Sequence, residues 1–209
     1  MIELDENLLI GRGSHRETYR HPEKEGLCLK VLIPGKLELR RSRNKKWYKR
    51  LRRLSQFDET NKELEAYKRM GKLQIPMTHF PKFYGMVETS RGRGMLLDLI
   101  ENEDGTAVRS LKQHLASAAD CSIYTKPLEE LAQYLMDNAV VIRDFSIGDL
   151  LVKEFGDGQL RVYVVDGFGG YTMIPLTRCR AFARLAVKRR VKRLFRVITN
   201  QYPTVSLSR

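Results

Sequence analysis

The sequence has few of the residues that disulfide-rich and zinc-binding proteins depend on. It contains three cysteines, Cys28, Cys121 and Cys179, which are far apart and form no C-x-x-C motif. This spacing excludes a disulfide framework and a zinc knuckle, and it favours small packed side chains over reactive thiols. The four histidines show neither H-x-x-x-H nor H-E-x-x-H spacing, so the sequence offers no histidine metal site.

Long hydrophobic runs are also missing. No segment approaches the roughly 18 consecutive apolar residues that a membrane-spanning helix needs, and the acidic start, residues 1–6, is unlike a signal peptide. We therefore expect a cytoplasmic protein. A chain of 209 residues with 42% hydrophobic and 30% charged residues is typical of a folded protein with one substantial domain or two small lobes.

Positive charge is abundant but unevenly distributed. The net charge is +13, while residues 36–53 and 178–196 each carry +9, so the remainder of the chain is acidic. Each basic segment can bind an anionic partner or a membrane surface, or can be a solvated helix face. Nucleic acid is the weaker alternative, because neither segment has an RNA-recognition signature or helix-turn-helix spacing.

The second basic segment predicts an amphipathic helix that packs through its apolar side. Its apolar residues recur near helical spacing: Phe182, Leu185, Ala186, Val191, Leu194, Phe195 and Ile198.

Three aspartates follow or precede short apolar runs in the second half of the chain. Asp144 follows residues 140–142, Asp166 follows residues 162–165, and Asp149 lies five residues after Asp144. Apolar runs of this length, bounded by Gly and Asp, predict short buried strands.

Two of these aspartates are predicted to meet at one end of a hairpin. If residues 150–153 pair with residues 161–165 around a Gly-Asp-Gly turn, Asp149 and Asp166 come to the same end. Carboxylates are the ligands that Mg²⁺ prefers, and Asp144 is a candidate general base. Alternatively, all three are turn residues that accept hydrogen bonds from neighbouring backbone.

The first half of the chain offers a glycine turn and a lysine in a strand. Gly11 and Gly13 follow a short apolar run, and a missing Cβ lets backbone N–H groups approach a phosphate, although a plain hairpin turn explains G-x-G equally well. Lys30 lies in the predicted strand 27–32 on its buried side. Burying a lysine is costly unless an anion or a carboxylate meets it.

A helix predicted over residues 60–73 supplies a candidate carboxylate. Glu63 lies on its apolar stripe, whereas Glu65 points elsewhere; the other stripe residues are Ala66, Tyr67 and Met70. Glu63 is therefore a candidate partner for the Lys30 ammonium. The alternative is that the two are unrelated surface charges.

A polar break at residues 101–105 separates two predicted lobes. The N-terminal lobe, residues 1–100, also contains predicted strands at 80–87 and 94–100, joined by a turn. The C-terminal lobe, residues 101–209, is predicted to be mainly helical. Its first helices are predicted at residues 111–119, capped by Ser110, and at 126–138.

The order of these motifs resembles that of protein kinases: glycine loop, strand lysine, helix glutamate, D-x-x-x-x-D, then D-G-F-G. More closely, residues 8–196 resemble the YrbL family of the bacterial PhoP regulatory network. The segments that carry this resemblance are G-S-H-R-E-T-Y-R-H-P, C-L-K-V, G-M-V-E-T, G-R-G-M-L-L-D-L-I, V-D-G-F-G and I-P-L.

The resemblance implies an α+β, shortened two-lobed protein-kinase-like fold, with an antiparallel N-lobe sheet and one helix above a mainly helical C-lobe. It also implies that the protein binds ATP and Mg²⁺. Gly11 and Gly13 would cover the phosphates, Lys30 would contact the α- and β-phosphates, and Glu63 would position Lys30.

In the second lobe, the resemblance implies that Asp144 accepts the proton of the attacking hydroxyl and that Asp149 and Asp166 hold Mg²⁺. The sequence departs from the kinase pattern at several positions. Arg16 replaces the third glycine, Asp149 replaces an asparagine, and Gly167-Phe168 inverts the usual order after the aspartate.

Two functions follow from this reading. The first is an Mg-ATP-dependent phosphotransferase that acts on a small or anionic hydroxyl acceptor, or on itself. The second is a pseudokinase-like regulatory module whose basic segments, 36–53 and 178–196, bind a partner or a membrane surface.

Overall fold

The structure is a computed structural model, and it describes residues 1–36, 59–142, 145–167, 180–205 and 207. These residues form an α+β protein with two antiparallel sheets, as the sequence predicts. Of the first basic segment, the described residues include only Lys36. Asp144 and Phe168, together with residues 178–179 of the second basic segment, also lie outside them.

The chain divides into two compact units. The first contains Met1–Lys68 and Pro81–Leu99, and the second contains Arg69–Phe80 and Ile100–Arg209. The assignment of separate functions to lobes 1–100 and 101–209 stays a prediction.

The first unit is built around a five-stranded antiparallel sheet with strand order β1-β2-β3-β5-β4. The strand bounds are β1, Leu9–Arg12; β2, Arg16–Arg20; β3, Leu27–Leu32; β4, Phe83–Thr89; and β5, Gly92–Asp98. The strand expected at residues 80–87 begins only at Phe83, because Pro81 cannot donate a backbone hydrogen bond to a neighbouring strand.

The two faces of this sheet have different surroundings. On one face, Tyr19, Leu29 and Val31 form a small apolar core with Leu4 of the N-terminal segment. On the other face, Lys30 contacts helix α1, Glu59–Lys72. The predicted stripe of this helix is confirmed at Glu63, Tyr67 and Met70, all of which are buried.

Gly94 is required by the close approach of two strands. It lies on β5 opposite Val31, and a Cβ added at Gly94 would lie 2.7 Å from Val31 Cγ1. Real Cβ atoms essentially never approach another heavy atom this closely. The apolar core of the first unit therefore has no room for a larger residue at position 94.

The second unit contains a three-stranded antiparallel sheet with order β6-β7-β8 and three helices among its described residues. The strands are β6, Arg109–Ser110; β7, Leu150–Glu154; and β8, Leu160–Val164. The helices are α2, Leu111–Ser117; α3, Thr125–Asp137; and α4, Arg180–Gln201. None of the helices that the structure describes is long and apolar enough to cross a lipid bilayer.

Local signals fixed most of these boundaries, but not the strand expected at residues 140–142. Ser110 caps α2 as predicted, and its hydroxyl accepts from Gln113 N while the Gln113 side chain accepts from Ser110 N. Val140 and Ile142 are buried as expected, but residues 140–142 do not form one of the strands; Val140 N instead donates to Leu135 O at the end of α3.

Helix α4 is confirmed as an amphipathic helix, but the predicted apolar stripe is partly wrong. The buried residues are Ala183, Val187, Val191, Leu194 and Ile198, which follow the i, i+4, i+8 pattern of one helix side. Phe182 and Leu185 are 51% and 47% exposed. Small Ala183 permits close packing, and the two larger residues therefore point away from the core.

Replacing Gly94 by alanine should destabilise the protein by about 1–3 kcal/mol, because the new Cβ overlaps Val31. Urea denaturation followed by circular dichroism measures this loss. Gly71→Ala is the matched control: it lies in α1, its added Cβ meets nothing within 4 Å, and alanine is the better helix former. Equal midpoints for the two variants would contradict the close approach.

Candidate functional site

A buried ion pair joins the strand lysine to the helix glutamate. Lys30 Nζ lies 3.2 Å from Glu63 Oε1 and 3.3 Å from Glu63 Oε2. The Lys30 and Glu63 side chains are only 9% and 2% exposed, so water screens this pair far less than a surface pair. The structure therefore brings together the two residues that the sequence pairs.

Arg16 is a second cation on the same carboxylate. Its guanidinium donates to Glu63 Oε2, and the Arg16 side chain is 5% exposed. In the kinase pattern this position is a glycine, so the sequence departure supplies an additional partner for Glu63. The sequence shows Arg16 only as a departure from the glycine pattern, and this contact was not predicted.

Strand register places the glycine turn on the face of the sheet that carries Lys30. Gly11 is opposite Thr18 on β2, and Thr18 is opposite Lys30 on β3. Directly opposite residues of antiparallel strands project to the same face. A Cβ added at Gly11 would meet nothing within 4 Å, so packing does not require a glycine there.

The turn between β1 and β2 is closed by the Gly13 N–H, which donates to Arg16 O at 2.8 Å. The same backbone segment therefore holds both the glycine turn and the arginine that reaches Glu63.

A second buried carboxylate, Glu17, supports the strand that carries the glycines. Arg12 Nε lies 2.8 Å from Glu17 Oε1, and the Tyr19 hydroxyl donates to Glu17 Oε2 at 2.7 Å. Burial, followed by this hydrogen bond, raises the pKa of Tyr19 to about 12. Sequence reasoning missed Glu17; its cross-strand position opposite Arg12 is the signal that could have found it.

In the second unit, the hairpin of β7 and β8 brings Asp149 and Asp166 to one end. Leu150 is opposite Val164, and Val165 N donates to Asp149 O at 3.1 Å. Asp149 directly precedes Leu150 and Asp166 lies two residues after Val164, so both lie beyond the same terminal pair of the ladder. Both side chains are half-buried.

Asp166 also has a structural role in the turn that follows β8. Its Oδ1 accepts from Gly167 N at 2.7 Å, and Gly167 has a positive φ of 81°. This contact is the one expected of an aspartate that acts as a turn residue. Among the residues that the structure describes, no group of three or more His, Cys, Asp and Glu side chains could hold a metal ion. The predicted base Asp144 is not among those residues.

His79 supports the strand that ends near Asp166, a role that sequence reasoning missed. Its Nδ1 lies 2.8 Å from Val162 O, and its carbonyl oxygen accepts from Val164 N at 2.8 Å. The ring also packs on Tyr134, with centroids 4.8 Å apart. Burial lowers the pKa of His79. Because Val162 O can only accept, Nδ1 carries the hydrogen of this bond.

Comparisons with known proteins identify relatives along almost the whole chain. The family model described as "PhoP regulatory network protein YrbL" matches residues 2–203. Proteins named "Uncharacterized protein YrbL" from Escherichia coli K12 and Shigella flexneri are each 27% identical over 202 residues, which is 93% of this chain and 86% of theirs.

Among solved structures, the fold is similar to a double mutant of the PknI kinase domain of Mycobacterium tuberculosis, with a TM-score of 0.45 and 15% sequence identity. The match covers 76% of this chain and 56% of the kinase chain.

Replacing Glu63 by glutamine should destabilise the protein by about 3 kcal/mol, because Lys30 and Arg16 lose a buried counter-charge while the side-chain volume is kept. Urea denaturation measures the change. Glu65→Gln removes the same charge from the same helix, but Glu65 is exposed and pairs with Lys68 on the helix surface, so we expect a loss below about 0.5 kcal/mol. A Glu63→Gln loss as small as the Glu65→Gln loss would show that the buried pair is not stabilising.

Proposed function

The chain belongs to the YrbL family of PhoP regulatory network proteins, and from its buried Lys30–Glu63 pair we propose that it is an Mg-ATP-dependent phosphotransferase of the kinase-like superfamily. Its acceptor would be a small or anionic compound with a hydroxyl group, or a hydroxyl group of the protein itself.

The first unit would bind the phosphates of the nucleotide. Lys30 would contact the α- and β-phosphates, and Glu63 would hold the ammonium in one position instead of several rotamers. Backbone N–H groups of the turn around Gly11 and Gly13 would approach the phosphates from the same face of the sheet. Arg16 would keep Glu63 in place through its second oxygen.

The observation that carries this proposal is the combination of a buried lysine–carboxylate pair and a glycine without a packing requirement on the same sheet face. Packing requires the glycine at buried Gly94, whereas a Cβ at exposed Gly11 has nothing within 4 Å. On the sheet face that carries Lys30, such a glycine leaves room for a ligand to approach the backbone closely.

The second unit would supply the acidic groups. Asp149 and Asp166 carry carboxylate oxygens, the donor type that Mg²⁺ prefers, and the β7–β8 hairpin holds them at one end. Asp144 would accept the proton of the attacking hydroxyl. Mg-ATP, when bound, would supply the transferable phosphoryl group and neutralise part of its charge.

Asp166→Asn should lower the rate of ATP consumption and phosphoryl transfer at least about 100-fold, because an amide lacks the charge that holds Mg²⁺. Asparagine keeps an oxygen that can accept from Gly167 N, so the turn is retained. The measurement is release of labelled phosphate and transfer of label to the protein or to a panel of hydroxyl acceptors.

Asp157→Asn is the matched control, since Asp157 lies in the turn at the opposite end of the same hairpin and accepts from Gln159 N. Its rate should equal that of the wild type. Equal rates for wild type and Asp166→Asn would remove the enzyme proposal. ATP binding without turnover by the wild type would overturn it in favour of the regulatory binding module.

Gly11→Ala separates ligand binding from folding. We expect unchanged stability, because the new Cβ meets no atom within 4 Å, and an apparent Kd for ATP that rises about tenfold, because the methyl group occupies space next to the phosphates. Thermal-shift titration with ATP, with and without Mg²⁺, measures both quantities. Gly71→Ala should change neither the stabilisation by ATP nor its Mg²⁺ dependence; unaltered ATP binding in Gly11→Ala would contradict the assignment of this sheet face.

A further inference from the structure

Helix α4 has an exposed side that its packing does not explain. The buried residues that hold it to the second unit lie along one side of the helix, from Ala183 to Ile198. At 3.6 residues per turn, the opposite side includes six large apolar or basic side chains: Phe182, Leu185, Arg189, Lys192, Arg193 and Arg196. All six are exposed. We call this set the outer face of α4.

The outer face combines a high positive charge with exposed apolar groups. Four of its six residues are basic, and Arg184 and Lys188 add two further exposed cations beside it. The helix contains no acidic residue between positions 180 and 201. Phe182 and Leu185 lie one turn apart, with about half of each exposed, so they form a small apolar patch at the N-terminal end.

We propose that the outer face of α4 binds the surface of an anionic lipid membrane, with the helix lying parallel to that surface. The positive charge complements anionic headgroups, and Phe182 and Leu185 would enter the boundary between headgroups and acyl chains. The helix has 22 residues and is therefore about 33 Å long. When it lies parallel to the membrane, all the cations of the outer face can contact headgroups at the same time.

The apolar pair distinguishes a lipid surface from a nucleic acid. Phosphate backbones are bound by cations and hydrogen-bond donors, and an aliphatic side chain such as Leu185 gains nothing from them. An interfacial helix instead places Lys and Arg on one side of its contact and Phe or Leu in the acyl boundary. The long Arg side chains can extend from the helix to the headgroups while their apolar stems stay close to it.

This proposal does not depend on phosphotransferase activity, because every residue of the outer face lies on α4 and none has a proposed catalytic role.

The test uses the full chain and sedimentation with vesicles of phosphatidylcholine alone or with 30% phosphatidylserine, a fraction chosen to be on the order of that in anionic membranes. We expect binding only to the anionic vesicles, and weaker binding as NaCl is raised. The triple variant Arg189→Gln, Arg193→Gln, Arg196→Gln should bind roughly 100-fold more weakly, from about fivefold for each cation removed.

The matched control, Lys72→Gln, Lys112→Gln, Lys126→Gln, removes the same charge from three exposed lysines elsewhere in the second unit and should retain most of the binding. Phe182→Ala with Leu185→Ala should weaken binding roughly tenfold without changing the net charge. Circular dichroism checks that each variant is folded.

Three results would overturn the proposal: equal binding to neutral and anionic vesicles, equal losses in the two triple variants, or binding that is indifferent to Phe182→Ala with Leu185→Ala. A fourth contradicting result could come from fluorescence anisotropy, which measures binding to RNA and duplex DNA oligonucleotides at the same salt concentration. Tighter binding to these than to the vesicles, also indifferent to the apolar pair, would assign the outer face to nucleic acid.

Discussion

The carboxylate of Glu63 is the group on which the first unit depends. Moving a carboxylate and two cations out of water costs several kcal/mol for each ion, so such a cluster persists only when its charges and hydrogen bonds are paired. Lys30 meets both oxygens of Glu63 and Arg16 meets one of them. These contacts connect strands β2 and β3 to helix α1, and they hold the Lys30 side chain in one orientation on the sheet. The phosphate contact proposed for Lys30 would account for a lysine at a position where burial is costly.

The second unit achieves rigidity by a different means. Asp149 and Asp166 owe their proximity to the backbone ladder of β7 and β8, whose central residues Val152 and Val162 are fully buried. His79 also holds β8 in place, although it is not part of this ladder. Its ring Nδ1 contacts Val162 O, and its backbone carbonyl oxygen accepts from Val164 N. The acidic end of the hairpin therefore lies on a strand that is supported from two sides, which is the support that a binding group needs to keep its geometry.

Sequence reasoning succeeded where a local signal specifies the structure. The stripe of Glu63, Tyr67 and Met70 predicted a helix and its inner side, and Ser110 predicted the start of α2. Sequence reasoning failed where side-chain packing or a contact with a neighbouring element decides which residues are buried or form a strand. On α4, the apolar residues cover more than one side, so periodicity could not choose between Phe182 and Ala183; in the structure Ala183 is buried and Phe182 is exposed. Residues 140–142 are apolar and β-branched, which predicted a strand. In the structure, Val140 N donates to Leu135 O at the end of α3 instead.

The sequence by itself determined the helix with Glu63 on its inner side and the hairpin that brings two aspartates together, because hydrophobic periodicity and turn residues act over a few positions. The α+β class and the pairing of Lys30 with Glu63 were expected from the order of motifs that resembles protein kinases. Only the tertiary structure decided that Arg16 shares Glu63, that Glu17 holds Arg12, and which side of α4 is exposed. The first two are contacts between residues of different elements of the fold. The exposed side of α4 depends on which of its sides packs against the rest of the second unit. The energies of these contacts depend on burial and on the distance between side chains, and neither quantity is contained in a local pattern of residues.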